Sequence, residues 1–81
     1  MTKLPPIVTG AGVDSDWSGE KFKIYFFSVH NSLKFYLADG EVTEDINKAL
    51  ETDDINFALE ELNNLINDKD FTTYLEGMFS L

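Results

Sequence analysis

Few residues of this chain have the type and spacing that chemistry requires. Asp14, Asp16 and Ser18 place oxygen ligands at positions 1, 3 and 5 of a calcium loop, with Gly19 at position 6. Position 12 of such a loop should supply a bidentate glutamate, and Tyr25 stands there instead. An Asx- and Ser-rich turn explains the same residues, so a calcium module at 14–18 is a lesser alternative. His30 is the only histidine and lies beside Asn31 in an expected turn, where no pocket or partner positions it for acid–base work. Gly10 and Gly12 follow an apolar pair like a phosphate-binding turn, but Ser15 stands where the third glycine belongs, and the chain is too short for the supporting βαβ framework. Glu60 and Glu61 are consecutive carboxylates. Neighbours on a helix do not face each other across a cleft, as a glycosidase pair must.

With no cysteine and no arginine, thiolate chemistry, disulfides and bidentate anion clamps are absent. No enzyme, metal site or cofactor is expected. What remains is charge. Fifteen acids stand against six lysines, a formal net of -9. Residues 1–38 are near neutral, with three acids and four lysines, whereas residues 39–81 hold twelve acids and only Lys48 and Lys69. So acidic a chain should not bind nucleic acid directly, because phosphate binding relies on lysine and arginine displacing counterions.

The elements that must position this charge divide at the same point. The 14% of aromatic residues argues for a folded chain rather than a disordered one, and 81 residues allow one domain, 1–81. Residues 1–20, punctuated by Pro5, Pro6, Gly10, Gly12 and Gly19, read as an extended or loop-rich segment with a short strand at 7–9 and a loop at 14–19. Residues 21–29 and 33–38 alternate as a β-hairpin. Phe22, Ile24 and Phe26 share one face, and Lys23, Tyr25, Phe27 and Val29 the other. Both faces are largely apolar, so either this is a central strand, or one face is covered by helices and the other in part by a partner. Asp39 and Gly40 turn the chain toward a short strand at 41–42.

Beyond Thr43 the apolar period becomes helical. A helix over 44–51, capped by Thr43, would bury Ile46, Ala49 and Leu50. A second over 53–67, capped by Thr52, would bury Ile55, Ala58, Leu59, Leu62, Leu65 and Ile66. The two stripes point in roughly opposite directions, so the chain must break near 51–52. A third helix over 70–79, opened by Asp68 or Asp70, carries Phe71, Tyr74, Leu75, Met78 and Phe79 on one side. Gly77 lies off that stripe, where a close approach is expected. The expected fold is α+β: a small antiparallel sheet packed on one face by two or three helices.

The acidic helices then offer the most specific functional signal. Glu44, Glu51, Asp53, Asp54, Glu60, Glu61 and Asp68 lie off the apolar stripes with almost no lysine at i±4, where solvated helices usually mix signs. Carboxylates at that spacing repeat every roughly 5–6 Å, of the order of phosphates along a nucleic acid strand. Phe57, among these acids, is either an aromatic anchor or packed beneath the third helix or the N-terminal arm; Trp17 is a second such residue. The expectation is a non-catalytic module whose acidic face docks on a basic protein partner. The concrete version is an inhibitor that mimics nucleic acid at the partner's binding surface, as anti-defence proteins of phages and mobile elements do. The competing reading is a small assembly adaptor or chaperone-like subunit acting through sheet contacts. A monomer or weak homodimer is expected. With no leader-like apolar run and no membrane span in the sequence, a cytoplasmic location is the default expectation.

Overall fold

The computed structural model describes residues 4–80; residues 1–3 of the expected loop-rich N-terminal segment lie outside the described residues. Four antiparallel strands form one sheet in sequence order: β1 (Gly10–Ser15), β2 (Phe22–Phe27), β3 (Lys34–Leu37) and β4 (Val42–Thr43). Helices α1 (Ile55–Ile66) and α2 (Lys69–Phe79) follow and pack on one face of the sheet. This is the α+β architecture that the alternation and periodicity predict, with two helices.

Strand alternation sets the layers. Ala11, Phe26 and Phe35 stand in one cross-strand row, Val13 pairs with Ile24, and Leu37 pairs with Val42. All point toward the helices, because residues directly opposite in an antiparallel ladder share a face. Ala58, Leu75 and Phe79 complete the buried cluster from the helical side. The Phe79 ring meets Phe35 edge-on at 4.9 Å, and Phe71 tilts against Phe26 at 5.6 Å. Two polar contacts tie α2 to the sheet. The Val42 N–H donates to Tyr74 Oη at 3.0 Å, and the Asn31 amide donates to the Phe79 carbonyl at 2.7 Å, satisfying a carbonyl that the helix end leaves unpaired.

Several expectations change. Residues 7–9 are not a strand. The Val8 N–H donates to the Pro5 carbonyl at 2.9 Å and closes a turn, and the strand starts at Gly10. Asp14 and Ser15, expected in a loop, belong to β1. The low strand propensity of glycine is overridden because Gly10 and Gly12 leave room for two rings from β2. A Cβ on Gly12 would sit 2.9 Å from Tyr25 Oη, and one on Gly10 would overlap the Phe27 ring. The aromatic residues on the outer face therefore lie down on their own sheet, with Lys34 Nζ 4.8 Å and 5.1 Å from the Tyr25 and Tyr36 ring centroids. Tyr25, Phe27 and Tyr36 are each partly buried.

The helix expected over 44–51 does not form. Only a 3-10 turn, Ile46–Lys48, occurs there, capped by Asp45 rather than Thr43. Beyond it the chain runs extended. The Leu50 N–H donates to the Leu37 carbonyl at 2.9 Å, while Thr52 and Phe22 exchange backbone bonds of 3.0 and 2.8 Å. Short helices are marginal without packing, and here the backbone groups a helix needs are used by the sheet. Ile46 and Leu50 remain about half exposed. The next helix starts at Ile55 and its cap is Asp54, whose carboxylate accepts from the Asn56 and Phe57 N–H groups; Thr52 Oγ1 instead accepts from Asp54. Gly77 has open space around it rather than a close neighbour.

Candidate functional site

The α1 apolar stripe is only partly spent on the core. Ala58 faces the sheet and is buried, and its small side chain lets the helix approach. Leu62, Leu65 and Ile66 are half-buried, whereas Ile55 and Leu59 are exposed, contrary to the expected stripe. At roughly 100° per residue, Phe57 and Leu59 lie on opposite flanks of Ala58. A helix seated through Ala58 cannot bury both.

On the Phe57 flank a groove of about 250 Å³ opens between α1 and the extended residues 50–52. Its floor comes from Phe22, Ile24 and Leu37 of the sheet, with Ala58 beside them, and Leu50 and Phe57 wall it, 49% and 57% exposed. Glu51, Thr52 and Glu61 complete the lining. Phe57 is thus neither beneath α2 nor under the described part of the N-terminal arm. Phe22 also borders a shallower hollow shared with Gly19, Glu20, Lys21, Asp53, Asp54 and Ile55. The site consequently joins the start of α1, the β1–β2 turn and the segment that sequence periodicity assigns to a separate helix.

The acids expected to form one face are distributed by this geometry. Asp53, Asp54 and Glu61 gather around the groove and hollow. Glu51 also lines the groove, but its carboxylate pairs with Lys23 Nζ at 3.0 Å. Glu60 turns away from the sheet into solvent, and Glu44 lies in an exposed bend rather than on a helix. Asp68 caps α2 through the Asp70 and Phe71 N–H groups. It sits a full helix length from Asp54, about 18 Å. Among the described residues, Glu51 is the one carboxylate of the acidic half in an ion pair; the other pair, Lys34 with Asp14 at 3.6 Å, lies on the sheet.

Within the β1–β2 turn that borders the hollow, Asp16 closes the chain on itself. Its Oδ1 accepts from Ser18 Oγ at 2.8 Å and from the Glu20 N–H at 3.1 Å. The Ser18 hydroxyl, helped by backbone N–H groups of Lys21, Glu20 and Gly19, lowers its pKa against a smaller effect of burial. Asp14 points to Lys34 instead, so the two aspartates of the calcium reading serve different partners. Among the described residues, no group of three or more His, Cys, Asp or Glu side chains is placed to hold a metal ion. Burial works against the Lys34 charge, but contacts with Tyr36 and Asp14 outweigh it and hold its pKa above the ordinary value. Trp17, at the tip of that turn, is 98% exposed.

No family model matches the chain, and neither the curated proteins nor the solved structures give a match. Among the described residues, no helix is long and apolar enough to cross a membrane. Sequence reasoning missed Phe22, Ile24, Leu37 and Leu50 as site residues. Each reads locally as core, and the groove arises only where the strand-like residues 50–52 stop short of α1.

Proposed function

We propose that the protein is a non-catalytic binding module that docks its acidic α1 side on a basic, nucleic-acid-binding surface of a partner protein and competes there with nucleic acid. The observation that carries this reading is the uncompensated charge. Twelve carboxylates lie in residues 39–81, and Glu51 alone among those described is paired with a lysine. Carboxylates left unpaired repel one another and cost stability. The same field steers a basic partner into encounter and is weakened by salt. Loss of the 44–51 helix shortens the acidic surface to α1 and the residues that lead into it, with Asp53, Glu60 and Glu61 as its free carboxylates.

The test is displacement. Purified basic nucleic-acid-binding proteins are loaded with fluorescein-labelled duplex DNA and titrated with the protein. Anisotropy should fall, with an affinity that weakens steeply as salt rises, and the triple change Glu60→Lys, Glu61→Lys and Asp53→Lys should abolish the effect while helical circular dichroism is kept. Displacement that ignores salt, or survives charge reversal, overturns the reading.

A second reading, an assembly adaptor using the outer sheet face, draws support from Val29, which lies in the turn just past β2 and is 68% exposed. The rings of Tyr25 and Phe27 lie on Gly12 and Gly10 and leave less free apolar area there than alternation alone implies. A mass that increases with concentration in light scattering favours the adaptor; a constant monomer mass favours the acidic module.

A further inference from the structure

We propose that the groove between α1 and residues 50–52 receives one apolar side chain from a basic peptide segment of the partner, whose flanking lysines or arginines meet Glu61 on one side and Asp53 on the other. This inference deepens the reading above and rests on it. Size narrows the occupant first. A volume of about 250 Å³ falls below the roughly 300–1,000 Å³ of small-molecule pockets, and suits one large side chain. The chemistry of the walls narrows it further. Phe22, Ile24, Leu37, Leu50 and Phe57 make the floor and facing walls apolar, and the polar members Glu51, Thr52 and Glu61 complete the lining, so a charged or hydroxylated tip seated on that floor would lose hydration with little replacement. An aliphatic or aromatic side chain would instead cover apolar surface that Leu50 and Phe57 now leave half exposed.

Charge decides what surrounds that side chain. Glu61 lines the groove, is partly buried and has no lysine partner. Past Phe22, the neighbouring hollow adds Glu20, Asp53 and Asp54 against Lys21 alone. Glu51 contributes little, since Lys23 already neutralises it. Partial burial strengthens the attraction of Glu61 for a cation relative to a fully solvated carboxylate. An acidic segment would meet like charge on both sides. A second copy of this chain, at -9, would meet the same repulsion, so the basic segment is favoured over self-association. An apolar anchor ringed by polar contacts is the arrangement that concentrates binding energy at protein interfaces.

The probes are four capped nine-residue peptides: a central leucine between lysine-rich flanks, the same with phenylalanine, the same with alanine, and leucine between aspartate-rich flanks. They are titrated into the isotope-labelled full chain and followed by amide chemical shifts. The leucine and phenylalanine peptides with basic flanks should shift the amides of Leu50, Thr52, Phe57, Ala58 and Glu61. Alanine at the centre should weaken binding at least about ten-fold. Phe57→Ala and Leu50→Ala, both at half-exposed positions, should reproduce that loss with unchanged circular dichroism. Equal binding of the alanine peptide overturns the groove inference but leaves the acidic-surface reading standing. Equal binding of the aspartate-flanked peptide overturns the basic occupant. Absence of groove shifts with every peptide overturns the inference, as do groove amides that move with protein concentration alone, which would mark a second copy as the occupant. DNA displacement, measured separately, reports on the broader reading whichever way the peptides bind.

Discussion

Phe22 and Thr52 exchange two backbone hydrogen bonds, the Phe22 N–H to the Thr52 carbonyl at 2.8 Å and the Thr52 N–H to the Phe22 carbonyl at 3.0 Å. The exchange fills the place beside β2 that β3 vacates at the Asp39–Gly40 turn, and it holds Leu50 against the groove. Thr52→Pro removes the donor and leaves the Phe22 carbonyl unsatisfied, a change expected to cost about 1–3 kcal/mol. Thr52→Val keeps the backbone bonds and loses only Oγ1, so it should cost less than half as much. Urea denaturation of the two variants checks the order, and equal costs would show that the bridge is incidental.

The two glycines of β1 should respond differently to a methyl group. At Gly12 the added Cβ meets the hydroxyl end of Tyr25, which can swing aside, and the reduced freedom of the unfolded chain offsets the contact. Gly12→Ala is expected to be near neutral. At Gly10 the Cβ overlaps several atoms of the Phe27 ring, and the whole ring must leave its seat. Gly10→Ala is expected to cost about 1–3 kcal/mol and to shift the Phe27 ring protons. Matching Tm values for the two variants would contradict this account of the outer face.

Helix caps separate structural from available carboxylates. Asp54→Ala and Asp68→Ala each remove acceptors for two N–H groups and should each lower stability by about 1 kcal/mol. Asp53→Ala caps nothing and should stay within about 0.5 kcal/mol of the parent. Chemical denaturation measures all three, and binding assays should then find Asp53, rather than Asp68, sensitive to substitution.

Acid should loosen the β1–β2 turn through Asp16. Its folded-state pKa is lowered, chiefly by the Ser18 hydroxyl. The contribution is therefore complete above the unfolded-state pKa and disappears as pH falls through the depressed folded value. An NMR titration of the Asp16 carboxyl carbon should show a midpoint below the usual aspartate range, and Ser18→Ala should move it upward. An unchanged midpoint in Ser18→Ala would remove the hydroxyl from the explanation.

Much of the fold is written locally. Alternation over residues 21–38 places Ile24, Phe26, Phe35 and Leu37 on the buried face, and 3.6-residue periodicity marks α1 and α2, although the α1 cap is Asp54 rather than Thr52. Where the reading departs from the structure, the deciding partner is distant in sequence. Residues 44–51 follow the cap-like Thr43, open with Glu44 and Asp45 and have a helical apolar spacing, yet the backbone of Leu50 and Thr52 bonds to Leu37 and Phe22. Residues 7–9 have strand-like side chains but turn, while Gly10 and Gly12 have none and form the strand because rings from β2 cover them.

The candidate site shows the same division. Charge needs no fold to be counted, so the acidity of residues 39–81 and the presence of Phe57 among carboxylates are properties of the sequence itself. Tertiary structure decided which of those acids are free. It set Asp54 and Asp68 to capping, drew Glu51 to Lys23, turned Glu60 outward and left Glu61 beside an apolar groove. The physical reason is that a groove is a mismatch between surfaces. It exists where α1, seated on the sheet through Ala58, fails to meet the extended chain at Leu50, and neither segment specifies that gap alone.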